Sequence, residues 1–187
     1  MWLWYKDQGG NGEFKVRKVI EIPAESAEPE KLPPILKGFK AVPPFVTDIN
    51  LSLDDRYLYV SCWAAGELQQ YDVSDPFKPK RTGTLRIGGI VSRSPHPAKA
   101  GARNGGPQMV EVSRDGKRVY FTNSLYGVID DQFYPDGLQG FMVKADAKPG
   151  GGIELDGKFL LDWSDGYRPH QVRLQGGDAS SDSYCYP

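Results

Sequence analysis

Histidine and cysteine are the residue types in this sequence best suited to metal or redox chemistry, and there are two of each: His96, His170, Cys62 and Cys185. The cysteines form no C-x-x-C pair, so neither a zinc knuckle nor a thioredoxin-type redox pair is indicated; a disulfide between them stays open. Cys62 is expected to be a small buried apolar residue. Taken alone, a histidine that follows proline, as His170 does, is more often a turn or half-buried strand residue than a metal ligand.

Acidic residues are paired at Asp54-Asp55, at Asp130-Asp131, and at Asp178 with Asp182. Paired carboxylates can carry out acid-base chemistry or bind calcium. Turn chemistry accounts for the first pair, because Asp hydrogen-bonds its own backbone in a hairpin turn. For the other two pairs, a structural role is favoured over catalysis, since Asp in Gly- and Ser-rich segments ordinarily caps turns.

The elements that must position these residues repeat. The segment S-L-D-D-R-Y-L-Y-V-S at 52–61 returns as S-R-D-G-K-R-V-Y-F-T at 113–122, which is 61 positions later. Alternating strands at 48–51 and 109–112 precede the two copies, and Asp or Gly supplies the turn in each, so each copy is predicted to be a β-hairpin. Further strands are predicted at 67–73 and 82–87 after the first hairpin, and at 140–146 and 158–163 after the second. Four antiparallel strands make one propeller blade.

The predicted fold class is therefore all-β, a partial β-propeller. A propeller ring typically contains about 4 to 8 blades, and about two complete four-stranded blades with partial blades at both ends cannot close one. Either the chain pairs with another polypeptide or it is the C-terminal fragment of a larger propeller, and the second is favoured. The predicted organisation is a partial blade at 1–22, a connector at 23–46, a blade at 47–88, a long loop at 89–106, a blade with an insertion at 107–163, and the start of a further blade with a tail at 164–187. The innermost strand of that further blade begins at Pro169.

Composition narrows the range of partners. The formal net charge of −1 gives no reason to expect nucleic acid or an anionic membrane surface as a partner. Hydrophobic residues make up 39% of the chain, enough for a core, but no run approaches transmembrane length. A soluble protein of the cytoplasm or periplasm is expected, and the sequence does not decide between these compartments.

Several segments, taken in order along the chain, resemble the selenium-binding protein family, whose members are also known as methanethiol oxidases. They lie at 47–76, 105–126, 131–137 and 169–184, and include D-Q-F-Y-P-D-G and P-H-Q-V-R-L. The resemblance covers almost the whole chain but only the C-terminal portion of the longer family members. It implies a copper-dependent oxidase that converts methanethiol, oxygen and water to formaldehyde, hydrogen sulfide and hydrogen peroxide. It also implies that the rest of the propeller comes from a missing N-terminal half or a complementary chain, and that this segment alone binds copper weakly without turnover.

The resemblance assigns candidate site residues. His170 matches a family histidine at the start of an innermost strand, where it would face the central channel and bind copper. His96 is the second candidate ligand, because its Pro-flanked loop could reach over the channel mouth, although it is expected to be solvated. Asp178 or Asp182 could accept a hydrogen bond that fixes the His170 tautomer.

For other residues in the matched segments, more than one role has to be weighed. An apolar pocket for a small thiol could be lined by four aromatic residues, but core or blade-to-blade packing is favoured for them: Trp63, Tyr126, Phe133 and Tyr134. Ala179 stands where one family variant has cysteine, and Ala65 where some animal members have histidine, so selenium attachment is not expected. The alternative to an oxidase is a non-catalytic propeller module that binds a selenium or thiol ligand or a protein partner.

Overall fold

The computed structural model describes residues 1–7, 9 and 11–171. This part of the chain is built mainly of antiparallel β-strands, with one α-helix, α1 (Gly127–Phe133), and two short 3-10 helices (Pro29–Lys31 and Pro34–Phe39). The strands are β1 (Trp2–Lys6), β2 (Phe14–Lys18), β3 (Glu25–Ser26), β4 (Ala41–Val42), β5 (Val46–Leu51), β6 (Tyr57–Cys62), β7 (Glu67–Asp72), β8 (Lys80–Arg86), β9 (Val110–Val112), β10 (Arg118–Thr122), β11 (Gly140–Ala147) and β12 (Ile153–Trp163).

Two four-stranded antiparallel sheets dominate the fold. The first sheet has the order β5-β6-β7-β8 and the second β9-β10-β11-β12, so each follows the chain from strand to neighbouring strand. Strands β1 and β2 form a separate hairpin, and β3 pairs with β4. The prediction of an all-β chain with two such sheets is confirmed, and the described residues do not form a closed ring.

The repeated sequence forms the same turn in both sheets. In the first, the Ser52 hydroxyl donates to the Asp54 carboxylate at 2.6 Å and accepts from the Tyr57 backbone N–H at 2.9 Å. In the second, Ser113 makes the equivalent bonds to Asp115 at 2.6 Å and from the Arg118 backbone N–H at 3.1 Å. The serine hydroxyl and a backbone N–H both donate to each carboxylate and stabilise its charged form, so the pKa values of both aspartates are lowered. Turn chemistry therefore accounts for Asp54, as predicted.

The main core lies between the two sheets. Tyr57, Tyr59 and Leu68 of the first sheet pack in one buried cluster with Val119 and Phe121 of the second. In the first sheet, the positions equivalent to Val119 and Phe121 are occupied by Leu58 and Val60. Leu58 and Val60 pack with Met1 and Val19, towards the β1–β2 hairpin. Equivalent residues of the repeat therefore pack against the structural unit that precedes their own sheet in the chain.

The innermost strands of the two sheets are joined through side chains. The Asp48 carboxylate accepts from the Val110 backbone N–H at 2.7 Å, and the Thr47 hydroxyl donates to the Gln108 carbonyl at 3.1 Å. Towards the outer edge, the Gln70 side chain accepts from the Gly152 backbone N–H at 2.6 Å. Adjacent sheets are therefore held by polar contacts from β5 and β7 and by apolar packing between them.

Two segments outside the predicted strands contain helical structure. In the connector at 23–46, Pro29 and Pro34 begin the two 3-10 helices, and Leu36 buries its side chain. The insertion after β10 contains α1. Of the predicted strand that begins at Pro169, residues 169–171 are not in a strand, and the rest lies outside the described residues. No described helix is both long and apolar enough to cross a membrane.

Candidate functional site

His170 lies beside the end of β10, half-buried, with its backbone anchored to that strand. The Thr122 hydroxyl donates to the His170 carbonyl at 2.8 Å, and the His170 Nδ1 lies 3.3 Å from the Ser124 carbonyl oxygen. A carbonyl oxygen can only accept, so Nδ1 must carry the proton in this contact. In the neutral ring the Nε2 lone pair is then available, which is the form of imidazole that binds metals.

The acceptor that fixes this tautomer is therefore the Ser124 backbone carbonyl. The candidates named from the sequence, Asp178 and Asp182, lie outside the described residues. One face of the His170 ring stacks on Tyr126, with ring centroids 5.0 Å apart and an interplanar angle of 26°. Tyr126 itself is 61% exposed. The imidazole is thus held by one hydrogen bond and one stacked ring.

A buried carboxylate supports this arrangement from α1. Asp130 is fully buried and accepts from the Ser124 hydroxyl at 2.6 Å and from the Leu125 backbone N–H at 3.0 Å. Arg168, two residues before His170, lies 3.5 Å from the same carboxylate and donates to exposed Asp131 at 2.8 Å. The Asp130-Asp131 pair is therefore occupied in ion pairing and loop anchoring, in agreement with the structural role favoured from the sequence.

The described residues supply one imidazole donor here and no complete metal site. No group of three or more His, Cys, Asp or Glu side chains positioned to hold a metal occurs in residues 1–7, 9 and 11–171. Besides Asp130, buried Glu111 on β9 also contacts this segment, accepting from the Gln171 amide at 3.4 Å. His170 fits copper as a single ligand, and a tight copper site needs further ligands from outside this part of the chain.

His96 is buried rather than solvated, which corrects the expectation from its Pro-flanked loop. Only 1% of the residue is exposed, and its Nδ1 accepts from the Ala98 backbone N–H at 3.0 Å, so Nε2 carries the proton in the neutral ring. Burial lowers the pKa of His96, and neighbouring Arg103 lowers it further.

The loop that contains His96 folds onto the outer strand of the second sheet. There Lys99 and Arg103 both contact the Asp162 carboxylate of β12, at 2.5 and 3.1 Å. His170 lies instead at the side of that sheet where β9 and β10 pair. The structure therefore does not bring the two candidate histidines to one site.

The other candidate residues belong to the core. Cys62 is fully buried, which confirms its expected role as a buried apolar residue, and this burial raises the pKa of its thiol to about 12. Trp63 is fully buried and packs edge-to-face against Phe133 and Tyr134, with centroids 5.6 and 5.0 Å away. These three residues form core packing, as favoured, whereas Tyr126 belongs to the His170 environment. Cys185 lies outside the described residues.

Comparison with known proteins finds relatives that carry the names selenium-binding protein or methanethiol oxidase. A family model for the 56 kDa selenium-binding protein matches residues 1–185. Methanethiol oxidase of Homo sapiens is 39% identical over 204 residues, covering 96% of this chain and 41% of the relative. Selenium-binding protein 2 of Mus musculus is 38% identical, with 96% and 41% coverage.

Among solved structures, a hypothetical selenium-binding protein from Sulfolobus tokodaii matches with a TM-score of 0.90 and 59% sequence identity, covering 100% of this chain and 40% of that one. The chain thus spans about two fifths of the length of the relatives it matches.

Proposed function

The chain belongs to the 56 kDa selenium-binding protein family, and from this premise we propose that it forms part of a copper-dependent methanethiol oxidase in which His170 is a copper ligand. The reaction would convert methanethiol, oxygen and water to formaldehyde, hydrogen sulfide and hydrogen peroxide. A relative that carries the name methanethiol oxidase is 39% identical to the chain, which supports this choice of substrate.

The observation that carries the proposal is the orientation of the His170 imidazole. The Ser124 carbonyl engages Nδ1 at 3.3 Å, so the lone pair of Nε2 is available to a metal. Thr122 and Tyr126 fix the backbone and the ring, which limits the entropy lost when a metal binds. When bound, copper would supply the redox chemistry with oxygen, and the role of this chain is to present the nitrogen donor.

The rest of the site must come from elsewhere in a family-sized propeller. One imidazole does not hold copper tightly, so we expect this chain alone to bind copper weakly and to show no turnover. The fold proposed for the assembled protein is a β-propeller in which the two four-stranded sheets are blades. The remaining blades would be supplied by further polypeptide of the family, either in the same chain or in a complementary one.

Copper binding by this chain can be assigned to a residue because only two histidines are present. Substoichiometric Cu²⁺ is added to chain labelled with ¹⁵N-histidine, and the paramagnetic broadening of each imidazole is measured. We expect the His170 signals to broaden first, while buried His96 serves as the internal control. Equal broadening of both rings, or broadening of His96 alone, would refute the assignment.

Activity is tested in a full-length polypeptide that joins this segment to the remainder of the family fold. His170→Ala should abolish both stoichiometric copper binding and methanethiol-dependent formation of hydrogen peroxide, whereas Asn11→Ala, on the exposed β1–β2 turn, should change neither. Retention of both properties by His170→Ala would exclude the proposed role. A parent protein that binds methanethiol or selenite without forming peroxide would indicate the non-catalytic binding module.

A further inference from the structure

We propose that Asp130 is a positioning residue for His170, acting through Ser124 and Arg168 to keep Nε2 as the metal-facing nitrogen. This inference rests on the proposed function only where it concerns copper. Asp130 acts through the groups that its carboxylate contacts, which are the Ser124 hydroxyl, the Leu125 N–H and the Arg168 guanidinium. Its carboxylate instead joins the two backbone segments whose relative placement decides which ring nitrogen is protonated.

The first of these segments contains the acceptor. One carboxylate oxygen of Asp130 accepts from the Ser124 hydroxyl at 2.6 Å, and the other accepts from the Leu125 backbone N–H at 3.0 Å. The Leu125 N–H belongs to the same planar peptide unit as the Ser124 carbonyl, so this bond fixes the direction of that carbonyl, and the hydroxyl bond anchors the Ser124 side chain beside it. That carbonyl is the group 3.3 Å from His170 Nδ1.

The second segment contains the histidine itself. Arg168 contacts the same Asp130 oxygen that Ser124 uses, at 3.5 Å, and its Nη1 also donates to the Gly127 carbonyl of α1 at 3.3 Å. Arg168 is separated from His170 by Pro169 alone, whose ring restricts the backbone between them. One buried carboxylate therefore ties the histidine segment and its acceptor segment to the same helix.

Burial makes this connection rigid. Asp130 is 0% exposed, and a buried carboxylate is stable only while its donors remain in place. Movement of either segment would remove part of the donor set from a buried charge, so the two segments resist separate displacement. Asp131 offers a natural contrast, because its carboxylate is 61% exposed and accepts from the other end of the same guanidinium group at 2.8 Å.

The test uses Asp130→Asn, with Asp131→Asn as the matched control. The asparagine has the same shape, but it loses the charge and one of the two acceptor oxygens. Imidazole ¹⁵N shifts recorded without metal at about pH 8, above the usual imidazole pKa of about 6.5, report the tautomer of each histidine. We expect His170 in the parent chain and in Asp131→Asn to be the Nδ1–H tautomer, and in Asp130→Asn to become a mixture of both.

Copper affinity at His170, from the broadening titration, should fall about tenfold or more in Asp130→Asn and stay within about twofold in Asp131→Asn. The His96 signals verify that each variant is folded. Should Asp130→Asn fail to fold, Ser124→Ala and Arg168→Lys each remove one half of the connection and should each shift the His170 tautomer. Unchanged His170 tautomer and affinity in a folded Asp130→Asn, or in both of those replacements, would overturn the proposal. Absence of copper binding to the parent His170 would instead refute the proposed function, and the metal-free tautomer comparison would still decide the role of Asp130.

Discussion

Replacing Asn123 with alanine should destabilise the protein by roughly 3 kcal/mol, although the side chain is small and carries no charge. Asn123 is fully buried just after β10. Its side-chain oxygen accepts from the Phe141 backbone N–H at 2.7 Å, and its amide donates to the carbonyls of Asn104 and Gln139 at 3.2 and 2.9 Å. One side chain thus joins the start of β11 to the loop that contains Asn104 and to the segment just before β11.

The magnitude follows from what each partner can do after the substitution. Phe141 is fully buried, so its N–H would lose its acceptor without access to water, at a cost of about 1–3 kcal/mol. Asn104 is half-buried and Gln139 exposed, so their carbonyls can turn to solvent and each should cost about 0.5–1 kcal/mol. The backbone carbonyl of Asn123, which accepts from the Trp63 indole at 2.9 Å, is retained in the variant.

Urea unfolding of the two proteins measures the effect as a lower midpoint with an unchanged slope. Asn11→Ala is the matched control, because the exposed Asn11 amide donates to the exposed Glu13 carboxylate, at 3.0 Å, and its loss should change stability by less than about 0.5 kcal/mol. A loss below about 1 kcal/mol for Asn123→Ala would refute the reasoning, since even the Phe141 N–H would then have found another acceptor.

Three further predictions concern single residues. Gly116 has φ +68°, so Gly116→Ala should lower the free energy of unfolding by about 1 kcal/mol in urea. Asp55 is the repeat-equivalent residue, with φ +56°, so Asp55→Gly should be neutral or stabilising by up to about 1 kcal/mol. The opposite order of these two effects would contradict the turn assignment. Because the folded-state pKa of His96 is lowered, its contribution to stability is complete above the unfolded-state pKa of about 6.5 and decreases as the pH falls below it, by at most about 1.4 kcal/mol per pH unit. His96→Gln should therefore show a shallower loss of stability than the parent between about pH 7 and pH 5, and equal slopes would exclude a buried neutral imidazole. In a Cys185→Ser background, Cys62 should resist iodoacetamide at about pH 8 and react once unfolded, because burial raises its thiol pKa to about 12; rapid labelling of the native chain would contradict its burial.

The strands were predictable because their signals are local. Alternation and the Ser-x-Asp turn lie within ten residues of each other, so the hairpins at 52–61 and 113–122 follow from the sequence alone. Predicted strands at 67–73 and 140–146 correspond to β7 (Glu67–Asp72) and β11 (Gly140–Ala147). The helix α1 was missed because it has only 7 residues and its N-cap, Tyr126, forms no side-chain cap bond that a motif would reveal.

The environment of the histidines was less predictable because it depends on distant parts of the chain. His96 is buried because its loop folds back onto β12, and nothing in Ser94-Pro95-His96-Pro97 records that contact. The His170 tautomer depends on a backbone carbonyl 46 residues away, and backbone acceptors carry no residue-type signal. The sequence therefore selected His170 as a candidate, but it could not name the Ser124 carbonyl as a hydrogen-bond partner of its ring.

The bond from the Val110 N–H to the Asp48 carboxylate has a consequence for how the fold assembles. Each hairpin closes with contacts that are short in sequence, whereas this bond spans 62 residues and exists only when the two sheets are docked. Local contacts form early in folding and long-range ones later. Hydrogen exchange at Val110 should therefore report undocking of the sheets, and exchange faster than at the β6 and β7 amides would show that whole sheets separate before either one unravels.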